Sequence, residues 1–380
     1  MGTQEYKHKL SAYLGGNTDI FLYWKGRVAL YALLKAMKVG PGDEVILPGF
    51  TCVVVPNAIK YLGAKPVYVD VQRGPMNASP DSYRKAITSK TKVIITQNTF
   101  GLSFGVDEIA GLAKNAGIRS IEDCTHGFGG TFKGKPNGSY CDAAFFSTQW
   151  NKPFSTGIGG FASVNDKSLI PDLHQVNGDL LKPSGKDKLV LSALLFARDF
   201  VLNPSNYWRL RSLYRILSKY NLVIGSSKGE ELSGIQMPGD YFKDISDTQV
   251  KKGISNLGNL PVIIERRKKN AEIYTHFLKE RGKYHVDLKY FEDHSFLKYP
   301  VLVQNRQNFD ELAYKRKIEL GDWFCTPLYP VKENWNLWDL NEKDVPNALF
   351  LSKHIENFPT DTANPKKVLK FAEAHINEFI

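Results

Sequence analysis

The chain has 380 residues, 42% of them hydrophobic, with 50 Lys and Arg against 39 Asp and Glu, which gives a formal charge of +11 and a pI near 9.2. That length and apolar content support a large buried core, expected to divide into two domains, and exclude a disordered chain. The basic balance favours anionic ligands without choosing among nucleotide diphosphates, nucleic acid or a membrane face, and no nucleic-acid-binding motif accompanies it.

The residues before Leu10 lack the apolar core of a signal peptide, and no apolar run reaches the roughly 18 residues a membrane span needs. The expectation is a cytoplasmic protein without a membrane span. Cys52, Cys124, Cys141 and Cys325 have no CxxC spacing, which fits a reducing compartment with neither disulfide nor zinc.

From Gly26 onward, Val28, Leu30, Tyr31, Leu33, Leu34 and Met37 recur at helical spacing, and Gly40 supplies a stop. A helix that begins on glycine presents free amides, so Gly26, Arg27 and Val28 make a candidate phosphate cradle. The Arg27 side chain either adds a charged donor or points away and leaves the backbone to act alone. Gly40–Pro48 reads as a turn into a short buried strand, and Phe50-Thr51-Cys52 as the opening of a helix through Val53–Leu62.

Strand-like Pro66–Val71 and Val93–Thr96 flank a helix-like Ser79–Ile87, and Asp107–Ala116 is amphipathic. Alternation of this kind predicts a mostly parallel sheet with helices on its faces. Asn98 follows the second of those strands and is expected to line a site there.

The centre of the chain carries the chemistry. Asp123 ends the apolar run Ile118–Ile121, Ser147 ends Ala143–Phe146, and Lys152 follows on a loop before Thr-Gly-Ile-Gly-Gly at 156–160. Residues at strand ends sit where open α/β sheets hold ligands. A carboxylate for a protonated pyridine nitrogen, a lysine for a Schiff base and a hydroxyl for a phosphate are the groups that pyridoxal 5'-phosphate (PLP) requires. Asp123, Cys124 and His126 do not suit a metal, being adjacent ligands without a distant fourth.

Residues 166–240 suggest two amphipathic helices, Leu189–Leu202 and Trp208–Leu217, packed against the rest of the chain. Pro261 should break the helical stretch that begins near Ile245, before Ile263–Arg281. The cluster Arg266-Arg267-Lys268-Lys269 reads as a solvated helix face. The remainder, with strand-like Lys298–Val303, helices at Asn308–Ile318 and Pro365–Ile380, and an aromatic loop at 321–330, reads as a small α+β domain. That loop either stacks on a nucleotide base or forms a core patch.

The segment Ile-Glu-Asp-Cys-Thr-His at 121–126, with Phe-Ser-Thr-Gln-Trp-Asn-Lys at 146–152 and the glycines that follow, resembles the DegT-type sugar-nucleotide aminotransferases among fold-type I PLP-dependent enzymes. The resemblance spans about residues 20–165. It implies a large PLP-binding α/β domain at 1–255, with 166–240 atypical, and a small C-terminal domain at 256–380. It implies that Asp123 pairs with the pyridinium, that His126 lies near the ring oxygen, that Ser147 binds the phosphate and that Lys152 holds the cofactor covalently. The expected substrates are glutamate and a nucleotide-linked keto-sugar, in polysaccharide or secondary-metabolite biosynthesis, with a homodimer as the working form. A sugar dehydratase, an aminocyclitol- or aminohydroxybenzoate-type synthase and a non-catalytic PLP-binding regulator are the alternatives, and Lys152 argues against the dehydratase.

Two departures stand out. Cys52 occupies a position where relatives often carry a ring that stacks on the cofactor. Phe242 and Asp244 stand where relatives have the Asn and Arg of a motif reaching the neighbouring subunit's phosphate, so Lys243 or Gln249 would have to substitute.

Overall fold

Short apolar runs alternating with amphipathic stretches become, in the computed structural model, a seven-stranded sheet; the structure describes residues 2–203, 206, 209–210 and 229–380. Helix α1 (Gly2–Tyr13) and strand β1 (Asp19–Tyr23) lead into α2 (Gly26–Ala36). Then follow β2 (Glu44–Pro48), β3 (Thr51–Cys52), α3 (Val54–Lys60), β4 (Lys65–Val69), α4 (Pro80–Ala86), β5 (Thr91–Gln97), α5 (Val106–Asn115) and β6 (Arg119–Asp123). A hairpin of β7 (Thr131–Phe132) and β8 (Lys135–Pro136) precedes β9 (Ala143–Ser147) and β10 (Gly160–Val164).

The sheet order is β1-β10-β9-β6-β5-β2-β4, in which β9, β6, β5, β2 and β4 run parallel while β10 and β1 are antiparallel to their neighbours. The strands read as continuous apolar runs because both faces are covered. Val45, Leu47, Val93, Ile95, Ile121 and Phe145 pack beneath α2 and α3. On the other face Ile46 and Ile94 pack with Ile109 and Ala113 of α5. The chain therefore forms the expected α/β fold around a mostly parallel sheet.

Two expectations change. Phe50–Cys52 does not open a helix: Thr51 and Cys52 form β3, held by parallel pairing with Leu328 and Tyr329 far along the chain. Local propensity had no access to that partner. Of the two helices expected in 166–240, the first is α7 (Gly185–Phe196), which follows α6 (Ile170–Asn177), while the second, Trp208–Leu217, lies outside the described residues apart from 209–210. Ser184 and Asp187 form a capping box that starts α7.

Pro261 breaks the helical stretch as its missing donor requires: one helix ends at Leu257 and the next runs Leu260–Lys279 with the proline in its first turn. The C-terminal part carries β11 (Tyr299–Leu302), the helix Arg306–Lys315, β12 (Leu328–Tyr329), the helix Pro346–His354, β13 (Ile355–Phe358) and the helix Pro365–Ala374. Strands β11 and β13 pair antiparallel over a core of Tyr274, Val301, Phe309 and Phe371. Leu328, Trp338, Val345 and Ala348 pack instead with Ile46, Phe50 and Val69, so this half of the chain returns to the large sheet.

Candidate active site

Side chains alternate along a strand, and the register Asp123↔Phe145 puts Asp123 and Ser147 on one face of the sheet, at the carboxyl ends of β6 and β9. Helix α2 begins beside them. A Cβ on Gly26 would lie 2.7 Å from the Phe146 carbonyl oxygen and 3.0 Å from Ser147 Cβ, and one on Gly160 would strike the Gly26 backbone. Glycine at both positions is what lets the α2 N-terminus approach Ser147. The Ser147 hydroxyl meets no protein partner among the described residues.

Lys152 sits on a closed loop. Thr148 N–H donates to the Gly159 carbonyl (2.9 Å), Thr156 N–H to the Thr148 carbonyl (2.8 Å), and the two threonine hydroxyls lie 2.6 Å apart. These bonds draw residues 148 and 159 together and fix the direction in which the loop projects. Gln249 donates to the carbonyls of Ile158 (2.6 Å) and Trp24 (3.1 Å), tying the loop to the entry of α2. On the outer side Leu191 and Leu195 of α7 pack on Trp150, Ile158 and Trp24, and Arg198 donates to Ser155 Oγ (3.0 Å). The atypical segment thus braces the lysine loop.

The Lys152 ammonium forms no ion pair among the described residues and lies 4.4 Å from the centre of the Trp323 ring. Burial pushes its pKa down from 10.5 to about 8, with Asp123 and Cys52 pulling upward and Arg27 and Lys298 pushing down. Burial raises Asp123, whose Oδ1 accepts from Thr125 N–H (2.9 Å) and whose anion the lysine favours. His126 is held neutral, first by burial and then by Lys152 and Lys298. Its Nδ1 accepts from Phe100 N–H (3.3 Å), which leaves the proton of the neutral ring on Nε2 as a donor.

The structure brings Asp123, Ser147 and the α2 N-terminus to one end of the sheet, with Lys152 within electrostatic reach of Asp123 and His126, and Cys52 close enough for its thiol to sense Arg27 and Lys152. Two candidates turn elsewhere. The Arg27 guanidinium is buried in a salt bridge with Glu231, so it adds no free cation to the cradle. Asn98 donates to Glu122 Oε1 (3.0 Å) on the opposite face from Asp123, because its neighbour Gln97, in register with Asp123, takes the site-facing position. Of the residues considered for a cross-subunit motif, Phe242 packs against Tyr31, Lys243 pairs with Asp187 (2.9 Å), Asp244 pairs with Lys182 (2.6 Å) and Gln249 clamps the lysine loop.

Four residues come from the C-terminal half. The Trp323 ring stacks on His126 with centroids 4.6 Å apart and planes at 6°, and Phe324 follows at 5.6 Å. Lys298 lies 5.9 Å from the same indole. Arg267, read from sequence as solvated, is 5% exposed. The aromatic run at 321–330 was a visible signal; nothing in the sequence marks Lys298.

The profile of the DegT/DnrJ/EryC1/StrS aminotransferase family matches residues 2–187 and 223–364. GDP-perosamine synthase of Escherichia coli O157:H7 is 40% identical over 144 residues, 38% of this chain and 40% of that protein. A UDP-2-acetamido-2-deoxy-3-oxo-D-glucuronate aminotransferase of Pseudomonas aeruginosa is 37% identical over 173 residues, 45% of this chain and 48% of that one. The chain thus spans less than half the length of these curated relatives. A DegT DnrJ EryC1 StrS aminotransferase from Brucella abortus has the same fold, with a TM-score of 0.76 at 20% identity over 98% of this chain and 90% of that one.

Proposed function

The chain belongs to the DegT/DnrJ/EryC1/StrS aminotransferase family, and from that premise we propose that it is a PLP-dependent aminotransferase moving an amino group from glutamate onto a nucleotide-linked keto-sugar. The observation that carries the reading is the convergence of Lys152, Asp123, Ser147 and the α2 N-terminus at one edge of the sheet, around a lysine without an ion-pair partner among the described residues. That donor set fits PLP: a carboxylate for the ring nitrogen, an amine for covalent attachment, a hydroxyl and helix amides for the phosphate.

When bound, PLP supplies an electron sink that lets the amine-bearing carbon of a substrate lose its proton. The chain's own residues do the rest. Lys152 Nζ, with its pKa near 8, takes that proton and returns it, and its tied loop keeps the amine at the reacting centre. Asp123 would supply the carboxylate for the ring nitrogen. His126 would offer Nε2–H to the ring oxygen, and Trp323 covers the ammonium.

The relatives named for GDP- and UDP-sugars motivate the acceptor class, and the formal charge of +11 suits a nucleotide diphosphate. A homodimer in the cytoplasm is the form proposed; no described helix is long and apolar enough to cross a membrane. Borohydride reduction followed by peptide mapping should place the label on Lys152, and glutamate alone should bleach the cofactor band and release 2-oxoglutarate. A label elsewhere overturns the site, and amination of free cyclitols only would move the activity to the synthase class.

A further inference from the structure

We infer that Arg267 and Lys298 form an anion subsite beside Trp323, built for a carboxylate or phosphate group of a substrate; the inference rests on the reading above. Arg267 projects from the helix Leu260–Lys279 into the protein, its side chain 6% exposed, and its Nε and Nη1 donors meet no acceptor among the described residues. Buried polar groups are almost always hydrogen-bonded, so a buried guanidinium with two vacant donors marks a place where an acceptor belongs. Desolvation pushes Arg267 down to about 10, Asp361 pulls it up and Arg266 adds to the fall.

The nearby acids do not satisfy it. Asp361 Oδ2 lies 3.9 Å from Arg267 Nη2, while its Oδ1 accepts from Arg266 Nε (2.7 Å). Lys298 has no carboxylate within ion-pair distance among the described residues; Glu319, Asp322 and Asp361 act on it only at longer range. Asp322 Oδ2 accepts instead from the Tyr329 hydroxyl (2.9 Å). Burial lowers Lys298 first, and Arg267 lowers it further, so the two cations lie within electrostatic reach of one another.

Lys298 adjoins the reacting centre. Lys298 and Lys152 both lie against the Trp323 indole, at 5.9 and 4.4 Å, and both bear on the charge of His126. The segment that carries Arg267's surroundings is fixed: Asn270 donates to the carbonyls of Thr360 (2.7 Å) and Thr362 (2.9 Å), and Thr360 Oγ1 to that of Leu297 (3.1 Å). An anion entering there would satisfy the open donors, relieve the repulsion and lie next to the lysine that moves protons. The amino donor's carboxylate and the acceptor's diphosphate share this chemistry.

The test is calorimetric titration of the purified holoenzyme with glutarate, which lacks an amine and cannot turn over, and separately with UDP and GDP. At least one should bind saturably, and Lys298→Met and Arg267→Met should each weaken it roughly 10- to 100-fold. Loss confined to glutarate assigns the donor carboxylate, and loss confined to UDP or GDP assigns the diphosphate. Lys298 is partly exposed and its substitution keeps the test open if Arg267→Met fails to fold. Wild-type affinity for all three anions in Lys298→Met overturns the subsite even if amination proceeds. Conversely, Lys298-dependent anion binding in a protein that ignores amino donors would sustain the subsite and sink the proposed activity.

Discussion

Asp123, Ser147 and Lys152 lie in one stretch of chain and are placed by strand ends and a tied loop, whereas Trp323, Lys298 and Arg267 come from beyond residue 260 and are placed by the packing of the C-terminal half onto the large sheet. The first group was readable because spacing along a strand dictates which side chains share a face. The second was not, because its members meet only through tertiary contacts such as the pairing of β3 with β12. The difference predicts unequal consequences: substitutions in the first group should stop the chemistry, and those in the second should tune it.

Lys152→Ala should have the largest effect. Removing the amine takes away the group that moves the proton, at a cost of about 10²- to 10⁴-fold in the glutamate half-reaction, read as 2-oxoglutarate release. Normal turnover in this variant would mean that another residue carries the step. Asp123→Asn should follow at roughly 10- to 100-fold, since a charge-assisted hydrogen bond to the ring nitrogen becomes a neutral one. The same change should shift cofactor capture in the cofactor-free chain toward lower pH, because Asp123 pulls the Lys152 pKa up toward its present value of about 8. An unchanged capture profile would place the carboxylate too far away to matter.

Gly26→Ala sits between the groups in size. Its Cβ would come within 2.7 Å of the Phe146 carbonyl oxygen, and relieving that overlap should destabilise the fold by about 1–3 kcal/mol while pushing the α2 N-terminus off Ser147. Thermal unfolding and cofactor affinity should both fall. A variant with wild-type cofactor affinity would remove α2 from the phosphate site.

How far the sequence could be read follows the same division. The helix at Gly26, the strands ending at Asp123 and Ser147, and the break at Pro261 each follow from short-range pattern, and each is present. Arg27 could not be resolved between two roles until Glu231 appeared beside it. Asn98, expected to line the site, faces Glu122 instead, and only the register shows that its neighbour Gln97 shares the face of Asp123. The Arg266–Lys269 cluster reads as a solvated face by composition alone, yet Arg267 is buried where the helix packs on residues 360–362.

The smallest predicted effect concerns Trp323, where two influences on Lys152 oppose one another. The indole face favours the ammonium, by about 0.5–2 kcal/mol for a ring at this distance. Its bulk also keeps water away, and burial is the leading cause of the fall in the Lys152 pKa from 10.5 to about 8, a difference of 10.5 − 8 = 2.5 that corresponds to about 3 kcal/mol. Trp323→Ala removes both influences, so rehydration should win and the midpoint of cofactor capture should rise. Trp323→Leu keeps apolar bulk and removes the ring's electrostatics, so the midpoint should fall by about 0.4 to 1.5 units. In each case the free amine is the reactive form, so at neutral pH capture should be slower in the alanine variant and slightly faster in the leucine variant. A pH series of capture rates on the cofactor-free chains measures both. A fall in both variants would show that exclusion of water is not the larger influence of Trp323 on Lys152, and a rise in both would show that the ring face does not favour the ammonium.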